Sequence, residues 1–218
     1  MKKAVVFNYG KLDNLQLIKN ELKNTDYIFC ADGGANYVYE IGLVPDFLIG
    51  DFDSINMDVL SEFQNKGINI IQYPQEKDFT DTELCINKAI EMGCSVICII
   101  GGVGGRIDHT LANLNILHYI NTKGAKGYFV TDEFNIYLVS NEIELIGSKG
   151  DLISIIPIFN DAKGLSTKGL KYGLENSTIE FGKPLGISNI MVENRCEIKI
   201  KKGEVLVFKQ NKIVSNER

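Results

Sequence analysis

The sequence predicts an α/β fold, a mostly parallel sheet flanked by helices, followed by an all-β, sandwich-like domain. Residues 1–133 alternate short apolar runs with amphipathic stretches, the pattern of strands joined by crossover helices. Residues 134–218 instead alternate Ile, Val and Leu with polar residues and hold no long helical stretch. Size agrees: 218 residues, 44% of them hydrophobic and only 4 of them Pro, suffice for one large core or two modest ones.

In the first domain, strands are expected at Ala4 to Phe7, Tyr27 to Ala31, Phe47 to Ile49, Ile68 to Tyr73, Ser95 to Ile100 and Tyr128 to Thr131. Leu15, Ile18 and Leu22 share one helical face, and Leu84, Ala89 and Met92 do so less regularly. Thr80 and Glu83 have the spacing of a capping box, and Gly93 suits a helix end, so a helix is predicted over 81–92. In the second domain, strands are expected at Ile136 to Val139, Ile143 to Ile146, Leu152 to Ile158, Ile198 to Ile200 and Val205 to Phe208. Turn signals at Lys149-Gly150-Asp151 and Lys202-Gly203-Glu204 separate some of these runs, as an antiparallel sheet requires.

Composition excludes several classes. The longest apolar runs fall far short of the roughly 20 residues that span a bilayer, so no membrane is expected. Met1-Lys2-Lys3 leads into an apolar run too short for a signal peptide, which makes the cytoplasm the expected address. Cys30, Cys85, Cys94, Cys98 and Cys196 show no CxxC spacing and read as buried reduced thiols. The net charge of -5 is unevenly spread: residues 1–133 carry 11 Lys and Arg against 18 Asp and Glu, and the remainder 12 against 10. With no basic stripe, nucleic acid is not an expected partner.

The acids collect where strands end. Asp32-Gly33-Gly34 follows the second strand, Asp51-Phe52-Asp53-Ser54 the third, Asp78-Phe79-Thr80-Asp81 the fourth, and Gly101 to His109 the fifth. In open parallel sheets ligands bind beyond the carboxyl ends of the strands, so these segments are expected to converge on one cleft. In an extended backbone Asp51 and Asp53 leave the same face, with α-carbons about 6 to 7 Å apart. Carboxylates about 5 Å apart repel by about 3 kcal/mol at an effective dielectric of about 20. A divalent cation relieves that repulsion, and magnesium favours such hard oxygen ligands. Singly, Asp78, Thr80 and Asp108 also read as helix caps and Asp46 as a turn residue; jointly, the acids point to a metal.

Gly101, Gly102, Gly104 and Gly105 allow close backbone approach, a helix beginning near Asp108 aims free N–H groups at an anion, and Arg106 offers a fork for phosphate oxygens. The segment matches neither the dinucleotide glycine fingerprint nor the P-loop. His109 reads equally as a substrate contact or as a packing residue. These residue types together suggest a magnesium-dependent enzyme acting on a phosphate ester or nucleotide.

The blocks Ala31-Asp32-Gly33-Gly34-Ala35-Asn36, Pro45-Asp46, Gly50-Asp51-Phe52-Asp53-Ser54, Glu76 to Glu83, Gly101-Gly102 through His109 and Asn113, then Ser166 to Tyr172 and Ser188-Asn189, resemble the thiamine pyrophosphokinase family in order and spacing over nearly the whole chain. The resemblance implies transfer of the pyrophosphoryl group of ATP to the hydroxyl of thiamine, giving thiamine diphosphate and AMP. It also implies a homodimer whose thiamine sites join the first domain of one subunit to the second domain of the other.

By matching motif, Asp51, Asp53 and Asp81 are the implied catalytic residues and hold magnesium on ATP, with Asp78 as a further ligand. Asp32, Gly33, Gly34, Thr80, Gly101, Gly102, Gly105, Arg106, Asp108 and His109 are implied for the nucleotide and its phosphates, and Asp32, Asp81, Ser166 and Tyr172 for thiamine. Many members place Trp where this chain has Tyr172, a weaker platform for a cationic ring. Rival readings are a pyrophosphokinase for another hydroxymethyl heterocycle such as a pterin, a non-catalytic nucleotide or thiamine binder, and a metal-dependent glycosyltransferase using Asp51 and Asp53.

Overall fold

The computed structural model describes residues 1–211. The chain divides into two compact units, Met1–Asp132 and Glu133–Arg218.

The first unit carries six parallel strands: β1 (Lys2–Phe7), β2 (Tyr27–Ala31), β3 (Phe47–Gly50), β4 (Asn69–Gln72), β5 (Cys94–Ile100) and β6 (Lys126–Val130), in spatial order β4-β3-β2-β1-β5-β6. The chain first winds from β1 outward to β4, then returns across β1 to lay down β5 and β6. The direction therefore reverses between β1 and β5, the kind of switch point at which ligands bind in such sheets. Central strands are covered on both faces, which explains their unbroken apolar runs. On one face Val5, Phe7, Cys30, Leu48, Cys98 and Ile100 pack with Ile18 of α1 (Leu15–Leu22), Val38 of α2 (Gly34–Glu40), and Leu60 and Phe63 of α3 (Met57–Asn65). On the other, α4 (Asp81–Glu91) crosses β1, β2, β3 and β5, while α5 (Ile107–Thr122) lies against β6.

Helix starts follow capping chemistry. Asn14, Asn56 and Thr80 accept backbone N–H groups at the heads of α1, α3 and α4. The α5 helix differs from expectation: Arg106 holds the N-cap position without a side-chain cap, and Asp108 lies in the first turn. The α2 and α3 helices have no counterpart among the predicted elements, because each is short and its apolar residues follow Gly or Asn rather than a strong periodic run.

The second unit is antiparallel. Its strands are β7 (Phe134–Val139), β8 (Glu142–Ile146), β9 (Leu152–Lys168), β10 (Ser177–Ile179), β11 (Asn189–Ile190), β12 (Arg195–Lys199) and β13 (Lys202–Gln210). The order β7-β13-β9-β12-β8 is supplemented by β10 and β11, which both pair with β9. The core is built from Ile153, Ile155, Leu165, Ile179, Cys196, Ile198, Val205 and Val207. At 17 residues, β9 runs well beyond the predicted Leu152 to Ile158. It bends where Phe159 takes a φ of 67°, and the β13 register jumps there from Ile158 opposite Glu204 to Lys163 opposite Lys202. Asn160 and Asp161 are residue types common in turns, yet they lie in the irregularity through which the strand continues.

All five cysteines are free and buried. Among the described residues no helix is long and apolar enough to cross a membrane.

Candidate functional site

The ends of β2 and β3 are joined by the ladder bond from Asp32 N to Ile49 O, 2.9 Å long. Asp32 then turns into the left-handed region at φ 42° and hands the chain to α2, whose N-cap is Gly33. Its Cβ and backbone lie against Gly50, where a Cβ would come 2.9 Å from the Asp32 Cβ, so glycine there makes room for the residue. Asp32 is only 8% exposed, and its Oδ1 has no hydrogen-bond partner. Burial raises its pKa, against the pull of Ser54 and the Gly33 N–H.

Asp51 and Asp53 do not reach the site by strand alternation. Phe52 between them takes a φ of 67°, a conformation unusual for a bulky residue, and Asp53 N donates to Asp51 Oδ1 at 3.2 Å. The two carboxylates are gathered by a turn, and one oxygen from each of Asp32, Asp51 and Asp53 lies within 4.8 Å of the others. Ser54 Oγ donates to Asp53 Oδ1 at 2.8 Å and Gln75 Nε2 to Asp53 Oδ2 at 3.2 Å.

Asp81 opens α4 beside its cap Thr80, and Lys77 ties it to the group. The Lys77 ammonium is 3.1 Å from Asp51 Oδ2, 3.1 Å from Asp81 Oδ1 and 3.2 Å from the Pro74 carbonyl. Burial pulls Asp51 upward, but Lys77 and the Asp53 N–H outweigh it and hold the carboxyl below its ordinary value. For Asp81 burial wins over Lys77, and the charges of Asp51 and Asp53 add to it, so its pKa is raised. The Lys77 ammonium is in turn held protonated, because Asp81 and Asp51 outweigh its own burial. Three carboxylates with oxygens within 4.8 Å of one another, Asp32 among them with a buried oxygen left unpartnered, suit a divalent cation.

Other expected residues are placed differently. Asp78 is exposed and outside this group. Arg106 is turned onto Asp108, with Nε at 3.1 Å from Oδ1 and Nη2 at 2.6 Å from Oδ2, both side chains in solvent. That fork holds the Asp108 carboxyl down to about 2. His109 is exposed. In the glycine loop Gly101 presses on Gly10, Gly102 lies under Phe129 and Asn8, and Gly104 and Gly105 face open space. Gly104 N donates to Thr110 Oγ1 at 3.0 Å and Asn113 Nδ2 to Gly102 O at 2.6 Å.

In the second unit, Ser166 Oγ accepts from Asn176 N at 2.9 Å. The Tyr172 backbone is clasped by Asn189, through Tyr172 N to Asn189 Oδ1 at 3.0 Å and Asn189 Nδ2 to Tyr172 O at 2.8 Å. Tyr172 is 61% exposed, with Lys171 Nζ 5.4 Å from its ring centroid.

Sequence reasoning assigned no role to Lys77, Ser54 or Asn8. Lys77 sits four residues before Asp81, a spacing that could have flagged it. Asn8 takes a 2.9 Å hydrogen bond from Thr82 Oγ1, tying the end of β1 to α4, which only the fold reveals.

Comparison with known proteins agrees with this architecture. Residues 18–129 match the family described as thiamin pyrophosphokinase, catalytic domain, and residues 136–205 the family described as thiamin pyrophosphokinase, vitamin B1 binding domain. Thiamine pyrophosphokinase 1 of Arabidopsis thaliana is 32% identical over 197 residues, covering 78% of this chain and 73% of that protein. Thiamine pyrophosphokinase of Bacillus subtilis is 30% identical over 182 residues, covering 82% and 85%. A crystal structure of the Bacillus subtilis enzyme superposes with a TM-score of 0.85 at 26% identity, over 97% of this chain and all (100%) of that one. The Candida albicans enzyme, at 19% identity, shares the fold with a TM-score of 0.82 over 96% and 90% of the two chains. With the two halves matched in order to the two units of the structure, this chain belongs to the thiamin pyrophosphokinase family.

Proposed function

We propose that the protein transfers the pyrophosphoryl group of ATP to the hydroxyl of thiamine, forming thiamine diphosphate and AMP. The observation that carries the site assignment is the convergence of Asp32, Asp51 and Asp53 within 4.8 Å, with a buried Asp32 oxygen left without a partner. These three residues, with Asp81 beside them, are the side chains that would hold magnesium. When bound, the cation would neutralise triphosphate oxygens, which phosphoryl-type transfer needs more than covalent help.

The remaining roles fall to the chain itself. The thiamine hydroxyl oxygen attacks the β-phosphorus, and the bond from that phosphorus to the α–β bridging oxygen breaks, so AMP leaves with the electron pair. Asp81, which opens α4 beside the acid group, is the carboxylate assigned to the alcohol proton. Gly33, Gly34, Thr80 and the loop of Gly101, Gly102 and Gly105 are assigned to the nucleotide. Arg106 joins them by exchanging its Asp108 contact for a phosphate, a move open to an exposed pair.

Ser166 and Tyr172 are assigned to thiamine, supported by the match of residues 136–205 to a vitamin B1 binding domain. The Tyr172 ring, exposed and fixed at its backbone, offers a face to a thiazolium cation. The family resemblance supports a homodimer with shared sites, and five free cysteines suit a reducing cytoplasm.

Incubation with magnesium, ATP and thiamine, followed by nucleotide separation, tests the reading. AMP and thiamine diphosphate in equal amounts are expected. ADP would identify an ordinary kinase instead, and no product would point to a binder.

A further inference from the structure

Lys77 is a cationic side chain at the acid site that the proposed reaction does not use. Its side chain is 12% exposed, and its ammonium donates to Asp51 Oδ2 and the Pro74 carbonyl while lying 3.1 Å from Asp81 Oδ1. It stands on the irregular segment between β4 and α4, a stretch without regular backbone pairing that can let the side chain withdraw. Both Asp51 oxygens are already engaged, Oδ1 by the Asp53 N–H and Oδ2 by Lys77. A cation seated among Asp32, Asp51 and Asp53 therefore competes with Lys77 for Asp51. The ammonium lies at 3.1 Å from both acids, donating to Asp51 and only ion-paired with Asp81, so its charge is shared between them.

We propose that Lys77 is the internal counter-ion of this site: its ammonium holds Asp51 and Asp81 together in the cation-free protein and is displaced from Asp51 when a divalent cation binds. This rests on the reading that these acids take a cation. Lys77 is thus a positioning residue, which keeps like charges gathered until the cation arrives and sets the affinity at which it does.

The test is calorimetric titration of the full chain with Mn2+ alone, together with thermal melting in chelator, on wild type, Lys77→Met, Lys77→Gln, Lys77→Arg and Asp53→Asn. Lys66→Met serves as a control for loss of a distant exposed charge. Removing the competing charge is expected to tighten Mn2+ binding about tenfold in Lys77→Met and Lys77→Gln, the scale of one screened charge contact. The same variants should melt lower than wild type in chelator and recover with Mn2+. Lys77→Arg should resemble wild type in both measurements, and Lys66→Met should not change affinity.

A fixed structural ion pair makes the opposite forecast, unchanged or weaker Mn2+ binding on loss of Lys77. That result, with wild type binding Mn2+ and Asp53→Asn not, overturns the counter-ion role and leaves the cation site standing. Wild type without Mn2+ binding sensitive to Asp53→Asn overturns the cation site, and the counter-ion role with it.

Discussion

Gly10 and Gly101 meet backbone to backbone where β1 and β5 end: a Cβ on Gly101 would sit 2.3 Å from the Gly10 carbonyl oxygen, and one on Gly10 would sit 2.5 Å from the Gly101 carbonyl oxygen. Gly101 also has a φ of 77°, so a side chain there meets both a clash and a strained backbone. Gly101→Ala is expected to cost about 3 kcal/mol of stability, near the top of the common range for point substitutions. Gly104→Ala, at φ 111° with open space around it, is expected to cost only about 1 kcal/mol. Denaturant melts of the two variants check the contrast, and equal losses would refute the close approach at the switch point.

Asp53→Asn keeps the shape of the side chain and removes its charge from the acid group. Turnover of ATP and thiamine is expected to fall roughly thousandfold, about 4 kcal/mol of barrier. Circular dichroism should show an intact fold. Initial rates of AMP formation supply the measurement, and a rate near that of wild type would remove Asp53 from the site.

The raised pKa of Asp32 has a definite sign in stability. The folded chain keeps this proton at pH values where the unfolded chain, near its ordinary 3.8, has released it. The contribution is therefore fully present below that value and is lost as pH rises through the folded pKa. Asp81 acts in the same direction and Asp51 in the opposite one. In chelator, Asp32→Asn should thus lose less stability than wild type as pH rises from about 4 to 7. Melting temperatures across that range decide the matter, and parallel curves would count against a buried, destabilised Asp32 carboxylate.

For Tyr172, the expected signature is selective. Tyr172→Ala should raise KM for thiamine about 2- to 30-fold, the span of a cation–π contact, with little change in KM for ATP. Tyr172→Trp should lower it. Steady-state kinetics with each substrate varied separately would expose a misplaced ring as equal effects on both.

Much of the first unit could be read directly from residue order. Apolar runs ending in Asp32, Asp51 and Gly101 marked parallel strands because central strands are buried on both faces, and Thr80 marked the start of α4 because its hydroxyl accepts the Glu83 N–H. What could not be read depended on backbone conformations outside the usual strand and helix regions. Phe52 gave no sign that it would turn left-handed and bring Asp51 and Asp53 together by a turn. Phe159 likewise hid the continuation of β9 behind residues typical of loops. Arg106 and Asp108 also pair with each other across two residues, a contact that neither the phosphate-fork reading of Arg106 nor the capping reading of Asp108 anticipates.

The length of β9 governs when the second unit can assemble. Its first half is paired by β13, the last strand described, which faces Ile153 to Ile158 across some fifty intervening residues, and β13 in turn pairs with β7. Such distant pairing closes slowly. During synthesis this unit must wait until β13 has been made, whereas all six strands of the first unit have been made by Val130. Truncation before Val205 would accordingly leave a foldable first unit joined to exposed, unpaired strand edges prone to aggregation.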